Sequence, residues 1–339
     1  MGAGHLAPEL LNRYGENGIE LILDEGGNGP RSLPGDQDVV YALPSVGEKG
    51  SLDLVLDLAV PGGHSSIPPT HTGIGIMADI IHTLEREDLF VPLLGEGHPT
   101  REMLKCQVAH SPAHVEPWLA NALSTSTKNE IEIAKKLSSS RGPKFGVTMQ
   151  ATQAADLFHG GVKASALPEK ISAVVNYRVA LHESPDTVID RAIHLITPIV
   201  QGYNLSFSHS FSPLSSSSSS EATGDNAINY LTLKPLAAPL VPAPISPTSA
   251  DDRTWTCFAG VVRSVFESVP SLKGKKVVAG DSMTGNTDTR FYWALSRNIY
   301  RWNPLRDAFD ENIRTVDEKQ LIDTHLEGIM MYYGMSSTL

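Results

Sequence analysis

A short apolar run that ends in two carboxylates and two glycines constrains the fold of this chain more than any other feature. The run is GIELILDEGG, residues 18–27, and its Ile and Leu side chains predict a buried strand. In an open α/β sheet the carboxyl ends of the strands face the ligand crevice, and glycine lets the backbone turn there without side-chain hindrance. We therefore predict an α/β sheet with Asp24 at a strand end beside a site. The alternative is a plain surface turn, because Asp, Glu and Gly are also common loop residues.

Charge and composition narrow the classes of partner. The formal net charge is −11, and no Lys/Arg cluster is interleaved with aromatic residues, which argues against nucleic acid. Cys106 and Cys257 are the only cysteines, so neither a disulfide framework nor a thiolate metal cage is expected. No apolar run approaches the ~18 residues of a membrane span.

The middle of the chain predicts a second, smaller domain. Residues 52–60 alternate as a half-buried antiparallel strand does, and residues 74–84 have the apolar spacing of an amphipathic helix. Two further strands are predicted at 145–157 and 170–180, then a helix capped by Ser184 and a strand at 204–210. This order predicts an α+β two-layer sandwich of the split βαβ type. Beyond residue 235 the chain returns to α/β, with helices predicted at 255–265, 287–296 and 317–333 and strands at 275–279 and 298–302.

Five motifs occur in a fixed order and are more specific together than singly. They are LDEGG at 23–27, GGHSSIPP at 62–69, GGVK at 160–163 with ALPE at 166–169, NYR at 176–178 and GNTDTR at 285–290. The set resembles the di-zinc exopeptidase family of aminoacylase and glutamate carboxypeptidase, in its fungal carboxypeptidase S branch. The resemblance covers nearly the whole chain.

The resemblance implies a zinc-exopeptidase α/β domain with an inserted lid that mediates dimerisation. Residues 1–50 then correspond to a remnant of the first part of the catalytic domain and 235–339 to its second part. Residues 51–234 correspond to the lid, with an irregular insert at 87–145 and a serine-rich loop at 213–225. The implied activity is hydrolysis of the C-terminal bond of short peptides or N-acyl amino acids by two zinc ions and a Glu base. A vacuolar lumen is the implied location.

Residue roles follow from the same resemblance. Asp24 matches a zinc ligand, and His64 matches the lid histidine that stabilises an oxyanion in the partner's active site. Arg178 matches the arginine that binds the terminal carboxylate of the substrate. The alternatives are a loop-fixing hydrogen bond for His64 and a surface strand charge for Arg178. Ser165, Thr287 and Asp288 stand at substrate-binding positions.

Departures from the family pattern affect both metal and substrate. Ser165 stands where the family has Asn. A hydroxyl fills the donor and acceptor roles of the Asn amide less well. Arg314, in NIRTVDE at 312–318, stands where the family's last zinc ligand is a His, and a guanidinium has no lone pair to give a metal. Of the metal ligands that the resemblance implies, only Asp24 has a match. Apart from the position that Arg314 occupies, the others would lie upstream of Asp24, so we expect an amino-truncated form.

Two other patterns suggest chemistry and are weaker. His110 and His114 have the spacing of a helical zinc pair, but Pro112 between them favours a solvated loop. Gly280-Asp281-Ser282 invites a serine-hydrolase interpretation and lacks the Gly-x-Ser-x-Gly elbow.

Two hypotheses remain. The first is a zinc metallocarboxypeptidase whose intact form is active, with this chain inactive as given and holding no stoichiometric zinc. The second is a non-catalytic paralogue that keeps the lid as a dimerisation or binding module.

Overall fold

The computed structural model describes residues 2–86, 89–124, 129–211, 228–306, 310–311 and 316–338. The serine-rich loop predicted at 213–225 and Arg314 lie outside these residues. The helices of the described residues are α1 (Gly2–Tyr14), α2 (Gly73–Leu84), α3 (Pro99–His110), α4 (Leu119–Ser124), α5 (Glu130–Arg141), α6 (Pro143–Gly146), α7 (Pro185–Gly202), α8 (Arg253–Glu267) and α9 (Ile322–Thr338).

The first strands in chain order are β1 (Ile22–Asp24), β2 (Asn28–Arg31), β3 (Val39–Leu43), β4 (Ser45–Glu48), β5 (Gly50–Ala59), β6 (Gly63–His64), β7 (Thr152–Gly160) and β8 (Ala166–Leu167). The remaining strands are β9 (Lys170–Val179), β10 (Ser206–His209), β11 (Tyr230–Pro235), β12 (Lys275–Val278), β13 (Asp281–Met283), β14 (Ile299–Arg301), β15 (Asp310–Glu311) and β16 (Lys319–Gln320). None of the described helices has the length and apolar character needed to cross a bilayer.

The chain forms two compact units. The first comprises Met1–Lys49, Pro92–Met149 and Ala243–Leu339, and the second comprises Gly50–Val91 and Gln150–Pro242. The bounds of the first unit differ from the predicted domain boundaries. Most of the insert predicted at 87–145 belongs to this unit. The physical reason is a shared core, since Leu104 of α3 and Leu137 of α5 are buried with Tyr41 of β3.

The first unit contains two short mixed sheets. One has the order β1-β14-β4-β13, with β1 parallel to β14 and β4 antiparallel to β14. The other has the order β12-β3-β2. Helix α8 packs against the first unit's aromatic core because Trp255, Phe258 and Val262 recur on one face and are buried with Tyr300 and Trp302. The predicted α/β class is confirmed for the chain as a mixed fold with several sheets.

The second unit is a five-stranded sheet with two helices on one face. The strand order is β10-β11-β5-β9-β7. Strand β9 alternates between buried and half-buried residues, so its odd-numbered side chains form the core with α2 and α7. Helix α2 is capped by Thr72, and α7 by Ser184 with Pro185 in the first turn. The role of this unit as a lid stays a prediction.

Three predicted elements differ from the structure. The strand predicted at 145–157 is the short helix α6 followed by β7. The helix predicted at 287–296 is a single 3₁₀ turn, Asp288–Phe291, and the terminal helix begins at Ile322. In the first two cases a short helical turn begins directly after Gly142 or Thr287. Such short turns are not revealed by apolar spacing alone.

Candidate functional site

Asp24 ends β1 at the edge of the first sheet. It lies directly across from Arg301 in the parallel register of β1 and β14. Its Oδ1 atom accepts a hydrogen bond of 2.8 Å from the Glu25 amide. Its Oδ2 atom is buried and has no hydrogen-bond partner among the described residues. The carboxylate therefore keeps one acceptor uncommitted, as a ligand position requires.

The two glycines after Asp24 have conformations that other residues avoid. Gly26 and Gly27 have φ angles of +116° and +67°. A Cβ atom on Gly27 would clash with the Arg301 carbonyl oxygen. The turn is therefore packed against β14, and side chains at 26 or 27 would displace it.

Arg301 is the centre of a buried polar cluster beside Asp24. Its side chain is 1% exposed, and its guanidinium donates to Glu48 Oε2 at 3.0 Å and to Thr289 Oγ1 at 2.7 Å. Thr289 in turn donates to the same Glu48 oxygen at 2.8 Å. Burial lowers the pKa of Arg301 below its ordinary value, and the carboxylates of Glu48 and Asp24 oppose that shift. The cluster thus joins β4, β14 and the 3₁₀ turn in one charge-neutralised network.

Thr287 and Asp288 lie at the start of that 3₁₀ turn. Thr287 caps it, with its hydroxyl accepting from the Thr289 amide at 3.3 Å. Asp288 is exposed. Burial raises the pKa of Tyr292, and the charges of Asp288 and Asp24 add to the shift. The structure therefore places Asp24 and Asp288 around the same tyrosine, while their substrate and metal roles stay predictions.

Sequence reasoning missed Glu48, Thr289 and Arg301. Glu48 sits in GEKG, residues 47–50, a string typical of a surface turn, yet it is 1% exposed. The available signal was a charged residue inside the apolar strand Ile299-Tyr300-Arg301-Trp302. A charge buried in a strand needs a partner, and that partner was visible only in three dimensions.

His64 and Ser165 come together in the second unit. Strands β6 and β8 pair antiparallel with His64 opposite Ala166, and the Ser65 amide donates to the Ser165 carbonyl at 3.2 Å. His64 Nδ1 lies 2.7 Å from the Ser66 hydroxyl, so the loop-fixing hydrogen bond is present. That bond engages one ring nitrogen and is compatible with a role for Nε2.

Ser165 occupies a backbone conformation that suits the residue it replaces in the family pattern. Its φ angle is +65°, in the left-handed region. Asn enters this region several-fold more readily than most non-glycine residues. The backbone therefore favours Asn at this position. Serine has neither this backbone preference nor the amide group.

Arg178 lies near the opposite end of β9 from that pair. It is half-buried, opposite Ser51 of β5 and Thr152 of β7. His64 and Ser165 belong to the β6–β8 ladder just before Lys170, the first residue of β9. Because a strand rises about 3.3 Å per residue, Lys170 and Arg178 are roughly 26 Å apart. One copy of the second unit therefore does not combine Arg178 with His64 and Ser165 in a single site.

The weaker patterns do not assemble into catalytic groups. Helix α3 ends at His110, whose Nδ1 lies 3.2 Å from Lys275 Nζ, while His114 belongs to a separate 3₁₀ turn. Asp281 and Ser282 are buried, and both bond to the Thr100 hydroxyl at 2.9 Å. Hydrogen bonds that fix buried side chains are a sufficient account of Asp281 and Ser282.

The residues around Asp24 do not by themselves fit a zinc pair. Its unpartnered Oδ2 suits one coordination bond. However, the charged residue across from it is the cation Arg301. Among the described residues there is no group of three or more His, Cys, Asp or Glu side chains that could hold a metal ion.

Comparison with known proteins identifies relatives along the chain. Carboxypeptidase S of Saccharomyces cerevisiae is 32% identical over 341 residues, which is 98% of this chain and 56% of that protein. The human N-fatty-acyl-amino acid synthase/hydrolase PM20D1 is 27% identical over 312 residues, which is 90% of this chain and 51% of that protein. The chain thus spans about half the length of the curated relatives it matches. No protein-family profile matches it.

Solved structures share the fold. The M20 family metallo-carboxypeptidase Sso-CP2 of Sulfolobus solfataricus matches with a TM-score of 0.58 and 15% identity, over 99% of this chain and 66% of that one. The likeness in structure shows the fold, and the sequence match to carboxypeptidase S shows the relationship. The chain is therefore similar in sequence to fungal carboxypeptidase S over nearly its whole length, and it shares the fold of the M20 metallo-carboxypeptidase Sso-CP2.

Proposed function

We propose that the protein, in its intact form, hydrolyses the C-terminal amide bond of short peptides or N-acyl amino acids, and that residues 1–339 alone are inactive. The observation that carries the proposal is 32% identity to carboxypeptidase S over 98% of the chain. Support comes from Asp24, whose buried Oδ2 is uncommitted at a strand end. The vacuolar lumen remains a prediction from the resemblance alone.

The residues of the chain supply binding and orientation in this proposal. Arg178 binds the C-terminal carboxylate through two parallel donors, and His64 of a second copy contributes a ring nitrogen to a developing oxyanion. Zinc, when bound in the family, lowers the pKa of a water nucleophile. Since the described residues do not fit a zinc pair, we derive no step through the metal.

Carboxylate recognition is testable without catalysis. Residues 1–339 are titrated with N-acetyl-leucine and, as a control ligand, N-acetyl-leucinamide, by calorimetry. The acid is expected to bind and the amide is not. Arg178→Gln should lower the affinity for the acid about tenfold or more, which is the equivalent of one charge-assisted contact. Equal binding of acid and amide, or an unchanged affinity in the variant, contradicts the proposed role of Arg178.

Inactivity is tested separately, with N-acetyl-glycyl-leucine as substrate. Residues 1–339 are incubated with excess zinc, and leucine release is followed by chromatography. No release above the protein-free control is expected. Zinc-dependent release would contradict the inactive half of the proposal and leave the family relationship intact.

The exposed edge of the second unit favours the second function, a module that dimerises. Within the part of the chain that the structure describes, β7 is an edge strand whose one neighbour in the sheet is β9. Its residues 154–160 are all exposed, including Leu157 at 49% and Phe158 at 44%. Long apolar edge strands pair readily with a second chain. We infer that a second copy of this chain pairs with β7 to make a homodimer.

Sedimentation equilibrium tests the homodimer. The wild type is expected to be dimeric at micromolar concentration, and Leu157→Lys monomeric, because a charged side chain on an edge strand opposes pairing. Leu236→Lys is the matched control, since Leu236 is 60% exposed in the same unit and outside β7. A wild type that stays monomeric at high concentration would count against the module.

A further inference from the structure

A groove lies on the open face of the second unit's sheet. Its volume is about 640 Å³, within the range of small-molecule sites. The even-numbered residues of β9 point to this face, away from the core formed with α2 and α7. The groove is at the end of β9 that begins with Lys170, far along the strand from Arg178. The polar residues that line it include Asp57, His159, Lys170, Ser172, Tyr230 and Lys234.

Strand register explains why these residues converge. His159 of β7 is opposite Ser172 of β9, and Ser172 is opposite Asp57 of β5. Asp57 in turn is opposite Thr232 of β11. One row across the sheet therefore carries polar side chains on four adjacent strands, and neighbouring strands lie about 4.8 Å apart.

The groove is positive although the chain is strongly negative. Lys234 Nζ pairs with Asp57 Oδ2 at 2.8 Å, so the charges of these two side chains cancel. Lys170 is exposed and has no ion-pair partner among the described residues. One ammonium group therefore remains uncompensated in a chain of net charge −11. This local excess favours an anionic ligand.

Donors for an anion surround Lys170. Tyr230, Ser172 and His159 line the same groove as Lys170. Each can donate one hydrogen bond, and donors next to an ammonium group match the several acceptor lone pairs of a carboxylate or phosphate.

We propose that this groove binds a small organic oxyanion, with Lys170 as its counterion and Tyr230, Ser172 and His159 as donors. The shared chemistry is a carboxylate or phosphate head. The site is separate from the carboxylate site proposed at Arg178, by roughly 20 Å or more along β9. The inference goes beyond the proposed hydrolysis and does not rest on it.

The test is a nuclear magnetic resonance titration of the chain with isotope-labelled histidine, in which His159→Gln identifies the His159 signal. Sodium phosphate and sodium N-acetylglycinate are the two probes, each with sodium chloride at matched ionic strength as the blank. The His159 signal shifts saturably with one or both probes, and the probe that binds more tightly identifies the head group. Lys170→Gln weakens that binding about fivefold or more, which corresponds to the loss of one charge contact.

Lys135→Gln is the matched control, an exposed lysine of α5 in the other unit. It is expected to bind both probes as the wild type does. A thermal melt of each variant checks folding, and Ser172→Ala gives a second, uncharged variant with the same expected loss. A linear shift without saturation, or equal affinity in wild type and Lys170→Gln, would overturn the proposal.

Discussion

Asp24 and Arg301 face each other across the parallel strands β1 and β14, and Asp24 Oδ2 is buried without a hydrogen-bond partner among the described residues. The carboxylate offsets part of the pKa decrease that burial causes at Arg301. The residue predicted as a metal ligand is therefore held beside a fixed cation of the same unit.

The first prediction concerns that pair in metal-free protein. Asp24→Asn removes the negative charge beside a buried guanidinium, so the free energy of unfolding should fall by about 1–2 kcal/mol. Urea denaturation with chelator present measures it. Glu9→Gln, at an exposed site of α1, is the control and should change stability by less than about 0.5 kcal/mol. An unchanged midpoint for Asp24→Asn would mean that the pair does not stabilise the fold.

The second prediction concerns Glu48. Glu48→Gln leaves the buried Arg301 without its carboxylate partner, so the loss should be about 3–5 kcal/mol. Glu102→Gln is the matched control, because Glu102 pairs with Lys105 in an exposed i,i+3 bridge worth about 0–1 kcal/mol. Thermal and urea unfolding both report the difference. Similar losses for the two variants would refute a special role for the Glu48–Arg301 pair.

The third prediction is that the chain binds no stoichiometric zinc. Asp24 alone matches the ligands that the resemblance implies, and Arg301 is the charged residue opposite it. Elemental analysis after dialysis against zinc should give well below one equivalent per chain. Two tightly bound equivalents would contradict both this prediction and the proposed inactivity.

The fourth prediction concerns Ser165 and its positive φ angle of 65°. Ser165→Asn should raise the free energy of unfolding by about 0.5–1 kcal/mol, since Asn enters the left-handed region at lower cost. Ser65→Asn is the control, a neighbouring exposed turn residue whose φ is not positive. The result would be contradicted by equal effects of the two substitutions on the melting temperature.

The fifth prediction is a pH dependence in the first unit. A hydrogen bond from Arg141 is the main reason that the pKa of Glu116 falls from 4.5 to about 2. The lowered pKa stabilises the fold fully above the unfolded-state value, and the stabilisation is lost as pH falls from about 4.5 to 2. Glu116→Gln should therefore cost about 2–3 kcal/mol at pH 7 and flatten the stability curve over that range. A parallel curve for the variant would show that the Arg141 bond does not control it.

Local pattern determined much of this protein. Alternation in β9 and the spacing of apolar residues in α2 predicted the type of each element, because each must bury one face, and the Ser184 cap predicted α7. The glycines after Asp24 indicated a tight turn, and their positive φ angles confirm it. The ordered motifs predicted a resemblance to carboxypeptidase S, and the sequence match to that protein confirms the resemblance.

Tertiary structure alone decided the rest. Arg301 meets Glu48 and Thr289 because strands far apart in the chain become neighbours, and such pairing leaves no periodic signal in the sequence. The strand predicted at 145–157 fails at its start because Pro143 begins a short helix before β7. The separation of Arg178 from His64 and Ser165 follows from the length of β9. A motif fixes which residues a chain carries, whereas strand pairing and strand length fix which of them meet.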